Sequence, residues 1–102
     1  MIVILTPEAR VDLDRVWSFI EQSNPRRAIT FVREILAHIK LLETMPLRYQ
    51  LLLDHKESGI RRMPYRNYVI FYRITGQEIY ILHILNGAQD HDAILFPEDD
   101  EA

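Results

Sequence analysis

Gly59-Ile60-Arg61-Arg62-Met63-Pro64-Tyr65-Arg66-Asn67-Tyr68-Val69-Ile70-Phe71-Tyr72-Arg73-Ile74 reads as two strands about a tight turn at Arg66-Asn67, and it carries four arginines with no acid among them. Such a period-two stretch predicts a β-hairpin that presents positive charge. In its second arm Tyr68, Ile70, Tyr72 and Ile74 share one face and Val69, Phe71 and Arg73 the other. Downstream, Thr75-Gly76-Gln77 predicts a second turn and Glu78 to Leu85 a third strand, antiparallel to the second. Alternation there sets Tyr80, Leu82 and Ile84 against Ile79, Ile81, His83 and Leu85. Both faces of this sheet are apolar. One can cover a helical layer, and the other is expected to remain a partly apolar surface edged by arginine, fit for a partner.

Upstream the period changes. Ile2 to Leu5 predicts a short buried strand, which stops at Thr6-Pro7. Thr6 can cap a helix while Pro7 takes its first position, where the missing N–H costs nothing. That helix is expected to run to about Gln22, with Ala9, Leu13, Val16, Trp17 and Ile20 inward and Arg10, Asp12, Asp14, Arg15 and Glu21 in solvent. Asn24-Pro25 repeats the cap-plus-proline signal and opens a second helix, with Ala28, Phe31, Val32, Ile35, Ile39 and Leu42 as its buried stripe, ending before Met45-Pro46. So short a connection folds the two helices into an antiparallel hairpin. Leu47 to Ser58 has no clear period and fits a loop or a short strand. The pairing of the first strand is open.

The predicted fold class is α+β: a small antiparallel sheet packed against an N-terminal helical hairpin, in the order β-α-α-β-β-β. A chain of 102 residues, 48% hydrophobic, makes one domain with a modest core, over residues 1–96. Residues 97–102 read as a disordered acidic tail. Charge sharpens the picture. There are 12 Lys+Arg against 15 Asp+Glu, and Glu98, Asp99, Asp100 and Glu101 hold four of those acids, so the body is nearly neutral and the hairpin locally basic. Zero cysteines exclude disulfides and thiolate zinc sites. The N-terminus lacks the pattern of a signal peptide, and no apolar run approaches the roughly 18 residues of a membrane span. A cytoplasmic protein without membrane contact is expected.

Motifs for chemistry are few. No phosphate-binding glycine loop and no paired-histidine metal spacing occurs, so neither cofactor nor metal is expected. Ser18, Ser23 and Ser58 have no base at a fixed spacing. His83, set among isoleucines and leucines, fits a packed strand histidine. Were Arg61, Arg73 and His83 to share an exposed face, two guanidiniums would hold a phosphate while the imidazole moved a proton, with His91 as a second acid. The arginines equally fit a role in protecting exposed strands from edge pairing.

Five segments in order carry a resemblance: Ala9-Arg10-Val11-Asp12-Leu13; Asn24-Pro25-Arg26-Arg27-Ala28 leading to Phe31; Gly59-Ile60-Arg61-Arg62; Tyr68-Val69-Ile70-Phe71-Tyr72-Arg73; and Ile81 through Asp90. Together they resemble the RelE/ParE superfamily of bacterial toxins, over nearly the whole chain to about residue 96. The resemblance implies the toxin half of a type II toxin–antitoxin pair, a plasmid-stabilisation toxin, wrapped and blocked by a cognate antitoxin protein in a hetero-oligomer. The Asn-Pro helix start, the Tyr-x-Ile-Phe-Tyr-Arg strand and the Asn-Gly-Ala-x-Asp ending look like the ParE branch. That branch resembles inhibitors of DNA gyrase, which implies a non-enzymatic toxin with no catalytic residue and with Arg61, Arg62, Tyr68, Arg73, His83 and Gln89 facing the target. Which residues meet the antitoxin is unknown at this level.

RelE-type relatives cut messenger RNA on the ribosome, and for that alternative the residues are Arg61, Arg73, His83 and His91. Direct contact with nucleic acid is expected only in that case. Only Lys40 and Lys56 are lysines, no tyrosine follows Tyr80, and the pI is near 5.7, which suits a ribosome binder poorly. The chain departs from the ParE pattern at Asn86, where histidine is common, and at Gln89, where arginine is usual. Those softened charges keep a third alternative open, a degenerate member that binds antitoxin without toxicity.

Overall fold

The computed structural model describes residues 1–100. Strand β1 (Ile2–Leu5) leads into helix α1 (Pro7–Glu21) through Thr6, whose hydroxyl oxygen accepts the Ala9 N–H at 3.1 Å and donates to the Ile81 carbonyl at 2.7 Å. One side chain therefore caps the helix and ties its start to the sheet. Asn24 caps α2 (Pro25–Leu41) in the same way, accepting from Arg27 N–H at 3.0 Å. Both prolines stand at the start of their helices, where no intrahelical bond is lost.

The sheet is built from β1, β2 (Ile60–Tyr65), β3 (Tyr68–Thr75) and β4 (Glu78–Asn86), in the spatial order β1-β4-β3-β2. Pairs β2–β3 and β3–β4 are antiparallel, as the tight turns require. β1 runs parallel to β4, with Ile2 opposite Glu78 and Leu5 opposite Ile81, so the sheet is mixed rather than wholly antiparallel. The chain between them, which includes the helical hairpin, β2 and β3, supplies the long connection that parallel pairing demands.

A bulge corrects the expected alternation in β4. Phe71 pairs with His83 and Tyr72 with Ile81, which leaves Leu82 as the extra residue. Beyond it the faces exchange, so Ile84 joins Ile79 and Ile81 beneath the helices instead of sharing a face with Tyr80. That main core also holds Ala9, Val16, Phe31, Ile35, Ile39, Leu42, Met63, Ile70 and Tyr72. Each fully buried aliphatic side chain contributes about 1.5–3 kcal/mol. Trp17 stays half-buried and Phe19 is 70% exposed.

Asp12 is the second correction: it is buried at 5% exposure, not solvated. Its carboxylate accepts hydrogen bonds at the edge of β4.

The opposite face of the sheet is also more covered than expected. Ile60, Val69, Phe71 and Leu85 form a second core, against which Leu52, Leu82, Ile94, Leu95 and Phe96 pack. Helix α3 (His91–Leu95), capped by Asp90, brings those last apolar residues over the sheet, and His55 stacks on Phe96 with ring centroids 4.0 Å apart. Between Leu47 and Ser58, where a loop or a short strand is expected, the chain makes one isolated bridge and a short helical turn. Leu51 makes a single antiparallel bridge to Arg61, and Leu53–Ser58 forms a 3-10 turn. Gly59, at φ 74°, turns the chain into β2 in the left-handed region that glycine tolerates.

Pro97–Asp100 forms a further 3-10 turn where a disordered tail is expected from residue 97; Glu101 and Ala102 lie outside the described residues. No helix among the described residues is long and apolar enough to cross a membrane.

Candidate functional site

The sheet sorts the arginines by face. Cross-strand partners share a side, so Arg61 lies with Tyr72 toward the helices, whereas Arg62 lies with Phe71, and Arg73 with Ile60, on the opposite face. Arg61 is half-buried and donates to the Tyr49 carbonyl at 2.7 Å. It pins the loop beside β2. The expected constellation of Arg61, Arg73 and His83 on one face is therefore not assembled.

Arg73 and His83 do come together. Both line a cavity of about 350 Å³ with Thr6, Glu8, Ile60, Leu82, Leu95 and Phe96. His83 Nδ1 donates to Asp12 Oδ2 at 2.7 Å, and that same oxygen accepts the Ile84 N–H at 2.9 Å. The Asp12 bond fixes the proton on Nδ1 and leaves Nε2 as the free ring nitrogen. His91 is elsewhere engaged: Nε2 donates to the Asn86 carbonyl at 2.8 Å, and the ring sits edge-on to Phe71, 5.2 Å between centroids. It is a structural histidine at the turn into α3.

The other three expected contact residues gather at the far end of the sheet. Arg62 and Tyr68 line a cleft of about 560 Å³ along with Arg66, Asn67, Asn86 and Gly87, while Tyr68 and Gln89 line an adjoining cavity of about 180 Å³ with Asp12, Arg15 and Asn86. Local chemistry holds this corner rigid. The Gly87 N–H donates to the Asn67 carbonyl at 2.8 Å, joining two turns, and Gln89 Oε1 accepts the Asn86 N–H at 2.9 Å. Arg66 occupies the hairpin turn at φ 54°, a left-handed conformation that costs a non-glycine residue about 1 kcal/mol or more. Burial raises the Tyr68 phenol above its ordinary pKa, keeping it neutral.

A neighbouring network fastens α2 to β2. Glu34 accepts from Arg27 and from the Tyr65 hydroxyl. The Arg27 guanidinium first, and then the Tyr65 hydroxyl, hold its carboxyl down at about 2. His38 packs on the Tyr65 ring at 4.3 Å between centroids.

Sequence reasoning missed Asp12 and Asn67 as members of these clusters, and noted Asn86 as a departure from the ParE pattern. Asp12 had a signal: it stands one position from Leu13 and four from Val16, at the margin of the apolar stripe, where a carboxylate meets the sheet edge. No group of three or more potential metal ligands occurs among the described residues.

The geometry has counterparts among known proteins. The chain is 29% identical over 92 residues to Toxin ParE1 of Caulobacter vibrioides, an alignment that takes in 89% of this chain and 94% of that protein. Its fold matches the solved structure described as a chromosomal ParDE TA system from P. aeruginosa, with a TM-score of 0.73 and 24% identity over 84% of this chain and 95% of the other. The family model for the ParE toxin of the type II toxin–antitoxin system parDE matches residues 3–91. A match of that extent, spanning β1 through the turn into α3, places this chain in the ParE family of type II toxins.

Proposed function

We propose that this ParE-family toxin acts by binding and stalling DNA gyrase, and that a cognate antitoxin neutralises it. The observation that carries the choice of binding over RNA cleavage is the separation of Arg61 from Arg73 and His83 onto opposite faces, together with the commitment of His91 Nε2 to a backbone carbonyl. A phosphodiester-cleaving site requires its phosphate-holding and proton-moving groups around one reacting atom. Here the exposed polar groups are spread over a surface, which suits recognition of a macromolecule. Arg62, Tyr68 and Gln89 at one end, and Arg73 with His83 at the other, are the residues that meet the target.

The antitoxin's share is the helical hairpin. Ile29 and Leu36, seven residues apart, are 38% and 39% exposed on one flank of α2, and exposed Arg26 and Arg33 lie beside them. An amphipathic helix with apolar anchors and acidic flanks would lie along this stripe in the helix-in-groove mode.

One observation favours the RNA-cleaving alternative: His83 and Arg73 do line a common cavity. Pulse incorporation of labelled thymidine and methionine, minutes after inducing the chain alone or with its antitoxin, separates the readings. Gyrase inhibition gives an early fall in DNA synthesis that the antitoxin reverses. An early fall in protein synthesis would move the assignment to RNA cleavage, and no fall in either would mark a degenerate toxin.

A further inference from the structure

We infer that the target of this toxin lays an amphipathic helix into a groove between α1 and the open edge of β4. The inference rests on the gyrase reading above, in which Tyr68 and Gln89 at one end and Arg73 and His83 at the other meet the target, and it joins the two ends. Three cavities follow one another along α1. The first, of about 350 Å³, lies between Glu8 and the Leu82–His83 pair. The second, of about 290 Å³, lies between Val11 and the pair His83 and Leu85, and the third, of about 180 Å³, between Phe19 and the pair Ile84 and Asn86. Neighbouring cavities share walls: Glu8 and His83 line the first two, Asp12 and Arg15 the second and third. The groove therefore advances along α1 and β4 together.

The α1 wall is apolar with charges set into it. Glu8, Val11, Arg15 and Phe19 recur at three- and four-residue spacing, which places them on one side of the helix. Val11 is 53% and Phe19 70% exposed on that stripe, while Leu85 and Ile94 give the second cavity an apolar opposite side. Exposed aromatic and aliphatic groups lining contiguous cavities are the make-up of a protein-binding surface.

The edge of β4 decides the form of the occupant. Asp12 Oδ2 accepts the Ile84 N–H at 2.9 Å and Gln89 Oε1 the Asn86 N–H at 2.9 Å, so an added strand would have to displace two side chains to reach those donors. A helix needs no backbone bond from its groove. The spacing of the cavities fits one. On α1, Glu8, Val11, Asp12 and Arg15 line the second cavity and Asp12, Arg15, Val16 and Phe19 the third, the same pattern advanced by four residues. That advance is ~6 Å, the separation of i and i+4 side chains on a facing helix. From Glu8 to Phe19 the groove runs about 16 Å, which seats about eleven helical residues. Arg15 calls for an acid near the middle of that helix and Glu8 for a base toward one end.

Immobilised gyrase holoenzyme, titrated with the purified chain by biolayer interferometry, tests the groove. Val11→Asp and Phe19→Ser alter exposed side chains, so each should keep the wild-type Tm, and together they should raise the Kd about tenfold or more. Leu53→Gln, exposed on the 3-10 turn, should leave the Kd unchanged. Phe19→p-benzoylphenylalanine, photolysed in the complex, supplies a second readout: its adducts should fall on one gyrase helix, at residues three or four apart. An unchanged Kd for the double variant, or adducts on strands, loops or DNA, would overturn the inference while the gyrase reading stands. Absence of binding by the wild-type chain would overturn the gyrase reading and this inference with it.

Discussion

The Asp12 carboxylate stands in for a missing strand beside Ile84. β1 ends with Leu5 opposite Ile81, so the following N–H groups of β4 face an open edge, and Asp12 Oδ2 accepts the one from Ile84 at 2.9 Å. A buried backbone N–H must find a partner, and here a helix side chain provides it. The same oxygen holds His83 in place. Fold and candidate site thus share one buried carboxylate.

Asp12→Ala should therefore destabilise the domain by about 2–3 kcal/mol, because it strands a buried donor and frees His83. Asp12→Asn keeps an acceptor and should lose less. Urea denaturation of the three proteins checks the order; an Asp12→Ala loss below about 0.5 kcal/mol, the size of an ordinary surface change, would refute the role.

Arg61 and Arg73 should separate by consequence. Arg61→Ala removes the bond to the Tyr49 carbonyl and should cost about 1 kcal/mol, seen as a lower Tm. Arg73→Ala, exposed and without an ion-pair partner among the described residues, should leave Tm unchanged while reducing growth inhibition. Insolubility of Arg73→Ala would count against its place at the target surface.

Acid should find the α2–β2 clasp. The Glu34 pKa is depressed from 4.5 to about 2 by Arg27 and then Tyr65, so its stabilising effect is complete above about 4.5 and is lost as pH falls toward 2. Thermal melts across that window should show a decline that is shallower in Glu34→Gln. Parallel declines in the two proteins would mean that the network carries no net stability.

Core and surface substitutions should differ sharply. Phe31, 5% exposed beneath Tyr65 and Tyr68, should not tolerate Phe31→Glu, which buries an unpaired charge and unfolds the domain. Leu53→Gln, at a site 70% exposed, should shift stability by no more than about 0.5 kcal/mol. Circular dichroism melts distinguish the two outcomes.

Elements were legible wherever short-range chemistry decides them. Thr6-Pro7 and Asn24-Pro25 fix two helix starts through caps and proline geometry, and the period-two runs fix β2, β3 and β4. The apolar stripe of α2 likewise follows from three- and four-residue spacing. These signals act within a turn or a strand, so they are readable from the order of the amino acids, and with them the helical hairpin and the antiparallel pairs.

Long-range relations had no such signal. The parallel seat of β1 on β4, the bulge at Leu82 that turns Ile84 inward, and the placing of Ile94, Leu95 and Phe96 over the second face depend on segments tens of residues apart. Register errors propagate: one extra residue in β4 changes which side every later residue faces. The site shared that fate. Arginines adjacent in sequence, Arg61 and Arg62, part to opposite faces because β-strand side chains alternate, and the loop that lies beside β2 then supplies Arg61 with the Tyr49 carbonyl. Asp12 reads as a solvated charge until the edge of β4 is laid against it, since a carboxylate is buried only where the tertiary structure gathers donors around it.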